Sequence, residues 1–278
     1  MMIKSDWHIH SEYSFDAKIP LEEIATNAKA YGFVNVGITD HANYNDEQFL
    51  GDLDNSAKNV LEFRKKHPEM ILGVELTPIE KPVFDYCAKH GTREGYTHPV
   101  CDKAFDIELA QTKEELIARG VRYAVGASHW RVDGPGSVAN SDTPDGKIKE
   151  WYRQQLWLAQ DERVTILGHP WYGGQGIWYE DFSVIPHSMN MDLAHALKEN
   201  KKFVECNSGV IFSPLTSEKF RRQYAEFLRE LFEMGVPVTY GSDAHGKYSD
   251  EHIITEELLR KAGFCDTDIS DLTEDVLW

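Results

Sequence analysis

Positive charge is scarce in this sequence. Lysine and arginine together number 29 against 46 aspartates and glutamates, a formal charge of −17 over 278 residues. That balance argues against a broad nucleic-acid face, which needs clustered basic side chains against the phosphate backbone. It argues equally against docking on an anionic membrane. Cysteine is also sparse: Cys87, Cys101, Cys206 and Cys265 form no CxxC pair, so neither a zinc knuckle nor a thioredoxin motif is expected, and the wide spacing is unlike a disulfide scaffold. No run of 18 apolar residues is present, so no membrane-spanning helix is expected. The start, Met1-Met2-Ile3-Lys4-Ser5-Asp6, lacks the apolar core of a signal peptide. These absences predict a reduced, cytoplasmic protein. With 41% hydrophobic and 27% charged residues, the chain is neither disordered nor fibrous.

No Pro/Ser-rich linker or low-complexity stretch divides the chain. A short β-branched run, a loop and an amphipathic stretch recur instead. Strands are expected near Ile3–Ile9, Val34–Thr39, Met70–Val74, Val121–Ala127, Val164–Leu167, Phe203–Cys206 and Pro237–Tyr240. Helices are expected near Pro20–Tyr31, Asp46–Lys66, Lys113–Arg119, Lys147–Ala159, Met191–Glu199, Ser217–Glu233 and Glu251–Lys261. Pro20 suits a first helical turn, with Glu22 and Glu23 at the positive end of the dipole, and Gly32, Gly120 and Gly235 suit helix ends. Length alone suggests about two domains. Seven strands alternating with seven helices favour one α/β barrel over residues 1–278, with a parallel sheet and helical crossovers. An open doubly wound sheet competes, but no GxGxxG follows the first strand. Thr77–Gln111 lacks clear periodicity, and Val132–Gly146 and Tyr172–Pro186 look like long loops.

Against this poverty of basic residues stand twelve histidines. Six of the seven expected strands run into a candidate ligand at the C-terminal end: Asp6-Trp7-His8-Ile9-His10, Thr39-Asp40-His41, Gly73-Val74-Glu75, Ala127-Ser128-His129, Gly168-His169 and Gly241-Ser242-Asp243-Ala244-His245. Residues two apart on a strand share a face, so Asp6, His8 and His10 are expected together, as are Asp243 and His245. Any one of these alone reads as a hydrogen-bonded or exposed side chain. Their coincidence at strand ends is different, because those ends converge on one rim of a parallel barrel, where active sites are built. The remaining histidines, His67, His90, His98, His187, His195 and His252, fall in helices or irregular loops. Imidazole with carboxylate suits Zn, Mn or Fe without thiolate. So many ligands exceed one tetrahedral ion and suit two or three, with Glu75 able to bridge a pair. No Ser-His-Asp order, nucleophile elbow or Walker loop competes.

At these residues the sequence resembles the polymerase and histidinol phosphatase (PHP) superfamily. The motifs are Asp6-x-His8-x-His10, Ser14-Phe15-Asp16, Ile38-Thr39-Asp40-His41, Gly73-Val74-Glu75, Ala127-Ser128-His129, Leu167-Gly168-His169 and Gly241-Ser242-Asp243-Ala244-His245. Val204-Glu205-Cys206-Asn207-Ser208-Gly209 is similar to a segment of its histidinol-phosphatase branch. The resemblance implies a distorted (β/α)7 barrel and a trinuclear site. It places the first ion on His8, His10, Glu75 and Asp243, the second on Glu75, His129 and His169, and the third on Asp16, His41 and His245. Asp16 is a ligand only by this resemblance; otherwise it reads as a loop carboxylate.

The reaction implied is hydrolysis of a small, histidinol-phosphate-like phosphomonoester by metal-bound hydroxide. His8, His10, Glu75, Asp243 and His245 would carry catalysis. Arg131, Asn207 and Lys247 are the expected substrate-binding residues, Arg131 and Lys247 as phosphate clamps. Asp6 and Asp40 are expected to orient imidazoles. Trp130, Trp171, Tyr172, Trp178 and Tyr179 are candidates to wall the pocket or pack the lid loops. The expected partner is a small phosphorylated metabolite, not nucleic acid. A phosphodiesterase or exonuclease of the same superfamily fits less well at this charge. An amidohydrolase-type C–N hydrolase commonly has a bridging Lys where this chain has Ser128-His129, and a non-catalytic binding protein would be expected to have lost ligands.

Overall fold

The computed structural model describes residues 2–42, 53–91, 94–97, 105–129, 143–172 and 176–278. In chain order the elements are β1 (Ser5–Ile9), α1 (Leu21–Tyr31), β2 (Asn35–Ile38), α2 (Leu53–Arg64), β3 (Met70–Leu72), β4 (Val74–Leu76), β5 (Ile79–Glu80), α3 (Lys81–His90), β6 (Ile107–Glu108), α4 (Lys113–Ala118), β7 (Ala124–Gly126), α5 (Pro144–Gln160), β8 (Ile166–Leu167), α6 (His187–Glu199), β9 (Phe203–Asn207), α7 (Ser208–Ile211), α8 (Glu218–Glu233), β10 (Val238–Gly241) and α9 (Glu251–Lys261).

Two parallel sheets share one interrupted strand. One sheet runs β1-β2-β3 and the other β10-β9-β8-β7-β4. Only Gly73 separates β3 from β4, and its N–H donates to Ile38 O at 2.8 Å. The free edges meet on the other side: Asp243 N–H donates to His8 O at 2.7 Å and His10 N–H to Ala244 O at 3.1 Å. The result is a distorted (β/α)7 barrel, with β3 and β4 as one bent strand. The open doubly wound sheet is thereby set aside.

The barrel positions follow from local chemistry. Helix α1 begins after Pro20, carries Glu22 and Glu23 in its first turn, and ends at Gly32 with φ 80°, a conformation that glycine adopts without strain. Trp7, Ile71, Tyr123, Val125, Ile166, Phe203 and Leu272 form one apolar cluster. Tyr123 crosses it and donates its hydroxyl to Trp7 O at 2.7 Å. The tail closes the cluster, since Asp271 accepts from Trp7 Nε1 at 2.7 Å and Ser5 Oγ at 2.9 Å. The larger core lies where helices such as α1, α6 and α8 cover the strands.

Several elements depart from the expectations. The aperiodic stretch from Thr77 holds an antiparallel pair, β5 with β6, and the helix α3. Two-residue strands are too short to show a period. The helix expected from Asp46 is described from Leu53, because residues 43–52 lie outside the described ones. Helix α5 begins earlier than expected, at Pro144, capped by Thr143 Oγ1, which accepts from Gly146 N–H. Helix α6 begins at His187, directly after Pro186. Within the loop from Tyr172, Ile177–Tyr179 and Phe182–Val184 form 3₁₀ turns. Most important, β1 carries one more residue than β2 between the pairs Asp6–Val36 and Ile9–Ile38. This bulge breaks the strict alternation that would place Asp6 with His8 and His10.

Gly37 offers a test of how tightly the barrel is filled. A Cβ there would lie 1.7 Å from the Tyr123 hydroxyl oxygen and 3.1 Å from Trp7 Cα. Gly37→Ala is expected to destabilise the fold by about 1–3 kcal/mol through overpacking, read as a lower urea midpoint. An unchanged midpoint would contradict this packing.

Candidate metal centre

All nine candidate ligands meet at the C-terminal ends of the barrel strands. Glu75, on β4, lies at the middle and is completely buried. Its Oε2 is 3.4 Å from His8 Nε2, 3.2 Å from His10 Nε2 and 3.0 Å from His41 Nδ1. Its Oε1 is 3.1 Å from His169 Nε2 and 3.4 Å from His129 Nε2. Asp243 Oδ1 lies 3.5 Å from His8 Nε2, 3.3 Å from His10 Nε2 and 3.5 Å from His245 Nδ1. Asp16 Oδ2 lies 3.2 Å from His41 Nε2 and 3.3 Å from His245 Nε2.

The donor atoms fall into three overlapping groups: His8, His10 and Asp243; His41, Glu75 and His129; and His10, Asp16, His41 and His245. Within each, the ligand atoms lie within 4.8 Å of one another. The grouping differs from that implied by resemblance: Glu75 falls with His41 and His129 and not with His8, His10 and Asp243, His10 also joins Asp16, His41 and His245, and His169 falls in none of the three groups, though its Nε2 lies 3.1 Å from Glu75 Oε1. Two strand-end ligands have positive φ, His169 at 21° and Asp243 at 55°, as does Trp171 at 62°. Such backbone is held in place by its surroundings and concentrates at functional sites.

These residues fit divalent cations on two counts. The donors are imidazole nitrogens and carboxylate oxygens, the set that suits Zn, Mn or Fe. Several are also buried without a hydrogen-bond partner: Glu75 Oε2, His41 Nδ1 and His169 Nδ1. Glu75 Oε2 and His41 Nδ1 are 3.0 Å apart and yet not aligned for a hydrogen bond. Buried polar atoms left this way are costly unless something else satisfies them.

Electrostatics point the same way. Burial presses His10 down, but Asp243 and Glu75 outweigh it and raise its pKa to about 9. His8 is raised well above the ordinary range, burial being outweighed by Glu205, Asp243 and Glu75. Glu75, Asp243 and Asp16 are held well below the usual carboxylate range, because the imidazoles around them overcome the cost of burial. His129 goes the other way: although its outer edge reaches the cavity, desolvation within the cluster and the neighbouring His169 and His41 lower it to about 3, so it stays neutral with a lone pair to offer.

The supporting residues differ from those expected. Asp6 does not orient an imidazole; at the bulge its Oδ1 accepts the N–H groups of His8 at 3.2 Å and Ser242 at 2.9 Å. Burial raises its pKa to about 7. Asp40 likewise contacts hydroxyls and backbone, accepting from Ser11 N–H at 2.6 Å, Ser11 Oγ at 2.7 Å and Ser56 Oγ at 2.6 Å. The carboxylate that does meet an imidazole edge is Glu205, whose Oε1 lies 2.7 Å from His8 Nδ1. The expectations gave it no role. Its signal was a charged residue inside a strand buried along its whole length.

A cavity of about 400 Å³ opens beside the cluster, lined by Phe15, Tyr172, Gly209, Val210 and Ser213 together with Asp16, His41, His129, Asp243 and His245. Tyr172 is the expected aromatic that reaches it. Trp171, Trp178 and Tyr179 are buried in the packing beneath, with Trp178 Nε1 donating to Trp171 O. Asn207 does not line the cavity. It is fully buried, its Nδ2 donates to Glu205 and Asp243, and its Oδ1 accepts Val210 N–H at 2.8 Å. Lys247 is exposed and not among the lining residues. Trp130 and Arg131 lie outside the described residues.

The model of the PHP domain matches residues 6–209 of the sequence. The chain belongs to the PHP family. No curated protein matches the sequence significantly. Among solved structures, this PHP chain is similar to a histidinol phosphate phosphatase from Lactococcus lactis, complexed with zinc, L-histidinol and phosphate. The TM-score is 0.66 and the identity 19% over 94% of each chain. A candidate histidinol phosphatase from Listeria monocytogenes gives a TM-score of 0.58 and 16% identity over 87% of this chain and 96% of the other. Both likenesses concern the fold.

The raised imidazoles predict how metal uptake depends on pH. With a pKa of about 9, His10 is protonated at neutral pH in the metal-free chain, and a cation can take its nitrogen only by displacing that proton. The depressed carboxylates are anionic throughout and contribute nothing to this dependence. Zinc affinity is therefore expected to rise about tenfold per pH unit from this group between pH 6 and 9. Calorimetry in buffers of different ionisation heat should show about one or more protons released per chain at pH 7.5. An affinity flat across that range would contradict the assignment.

Proposed function

We propose that this PHP domain is a metal-dependent phosphomonoesterase acting on a small phosphorylated metabolite of the histidinol-phosphate kind. The observation that carries the reading is the convergence of six imidazoles and three carboxylates on one barrel rim, beside a cavity of about 400 Å³. His8, His10, Asp16, His41, Glu75, His129, His169, Asp243 and His245 would hold two or three divalent ions, Zn, Mn or Fe. Bound there, the ions would supply Lewis acidity to the phosphoryl oxygens and lower the pKa of an attacking water.

The chain's own part is to bind, orient and wall off. Glu75 belongs to one donor group and touches members of the other two, with Oε2 toward His8, His10 and His41 and Oε1 toward His129 and His169. Asp16, His129 and His245 are partly exposed and face the cavity, so a phosphoryl group entering from it meets them first. Phe15, Tyr172 and Val210 supply the organic part of the wall. A cavity this size admits a metabolite more readily than a polymer. The zinc, L-histidinol and phosphate of the Lactococcus lactis relative support the same class of substrate.

Zinc- or manganese-loaded protein is expected to hydrolyse p-nitrophenyl phosphate and, with higher kcat/KM, L-histidinol phosphate. His8→Ala and Asp243→Ala should each lower kcat/KM by about 10²-fold or more while the circular dichroism spectrum is kept. Full activity in either variant after metal analysis, or release of mononucleotides from single-stranded DNA in preference to both esters, would count against the proposal.

A further inference from the structure

We infer that Glu205 is the positioning residue of this centre, holding His8 as the Nδ1–H tautomer and setting His169 and Asp243 through the same carboxylate. The inference rests on the metal-centre reading above. Glu205 lies on β9, between the strands that end in His169 and Asp243, and is 1% exposed. Its Oε1 is 2.7 Å from His8 Nδ1. Its Oε2 accepts the His169 N–H at 2.7 Å and the Asn207 Nδ2 at 3.0 Å. The same Asn207 nitrogen donates to Asp243 Oδ2 at 3.2 Å. One buried carboxylate thus touches a ligand ring on β1, the backbone of the ligand after β8 and, through Asn207, the ligand after β10.

The direction of the proton follows from the donors. An ionised carboxylate only accepts, so the hydrogen shared with His8 sits on Nδ1. In the neutral ring that a cation would bind, His8 Nε2 then keeps its lone pair, facing His10 Nε2 at 3.1 Å, Glu75 Oε2 at 3.4 Å and Asp243 Oδ1 at 3.5 Å. The other neutral tautomer would place a hydrogen where a cation must sit and a lone pair against Glu205. Room for the carboxylate is made by Gly241, where a Cβ would stand 1.9 Å from Glu205 Oε1 and 2.6 Å from His8 Cβ. The glycine that opens Gly241-Ser242-Asp243 therefore serves a residue on the neighbouring strand.

Glu205→Gln tests this at nearly constant shape. An amide has one accepting end. It must oppose its NH₂ either to His8 Nδ1–H or to the His169 N–H and the Asn207 amide, whichever way it turns. In the zinc-loaded wild type, long-range ¹H–¹⁵N spectra are expected to show His8 protonated at Nδ1, with that proton protected from exchange. In Glu205→Gln the protection should be lost and zinc affinity should fall about 10–100-fold, with the fold retained at a lowered melting temperature because a buried donor is left opposed. Unchanged His8 signals with unchanged zinc affinity would overturn the inference and leave the metal-centre reading standing. If the variant does not fold, the wild-type spectrum decides: an unprotonated or freely exchanging Nδ1 in zinc-loaded protein overturns it. Wild-type protein that takes up no zinc overturns the metal-centre reading, and this inference with it.

Discussion

A single buried carboxylate organises the molecule. Glu75 lies inside a ring of five imidazoles, all within 3.4 Å of its two oxygens. An anion in that position is tolerable only with positive charge against it, because its desolvation is expensive and uncompensated burial is not sustained. His8, His10 and His169, whose pKa values are raised by the carboxylates around them, supply that charge in the metal-free chain, and cations would supply it otherwise. The ring of strands, the bulge in β1 and the left-handed backbone at His169 and Asp243 all bring donors to this one point. The fold and the centre are thus two descriptions of the same constraint.

Much of this was legible because parallel strands have short, recognisable ends. His8-x-His10, Asp40-His41, Gly73-Val74-Glu75, Ser128-His129, Gly168-His169 and Asp243-x-His245 each follow a β-branched or apolar run, and barrel closure does the rest. What stayed hidden depends on partners that no local pattern encodes. The bulge in β1 exists only relative to β2, so nothing in Asp6-Trp7-His8 reveals that Asp6 turns to the N–H groups of His8 and Ser242. The pair β5 and β6, two residues each, carries no period. Asn207 looks available in sequence, but all of its amide's contacts lie inside the protein. Glu205 stands in the Val204–Gly209 segment, and only its place between β8 and β10 reveals what it touches.

An acidic protein can still receive a phosphate. The cavity wall contains Asp16, Asp243 and the aromatic faces of Phe15 and Tyr172, with no lysine or arginine among its described lining residues. Bound divalent cations would be the largest local charges there and would reverse the sign of the pocket while leaving the outer surface acidic. The scarcity of basic residues then need not bar a phosphate from the pocket.

The barrel is closed by its first and last strands, through bonds such as Ser242 N–H to Asp6, 236 residues apart in the chain, and its lower end by the tail, through Asp271 to Ser5, 266 residues apart. Contacts of that range form only after a large loss of loop entropy, and topologies built on them fold slowly. β1 with its two histidines finds the partner for its second edge only some 236 residues further along the chain. Until that pairing forms, an open strand edge stands beside His8 and His10. The strand that carries two of the candidate ligands thus depends for its second edge on the strand most distant from it in sequence.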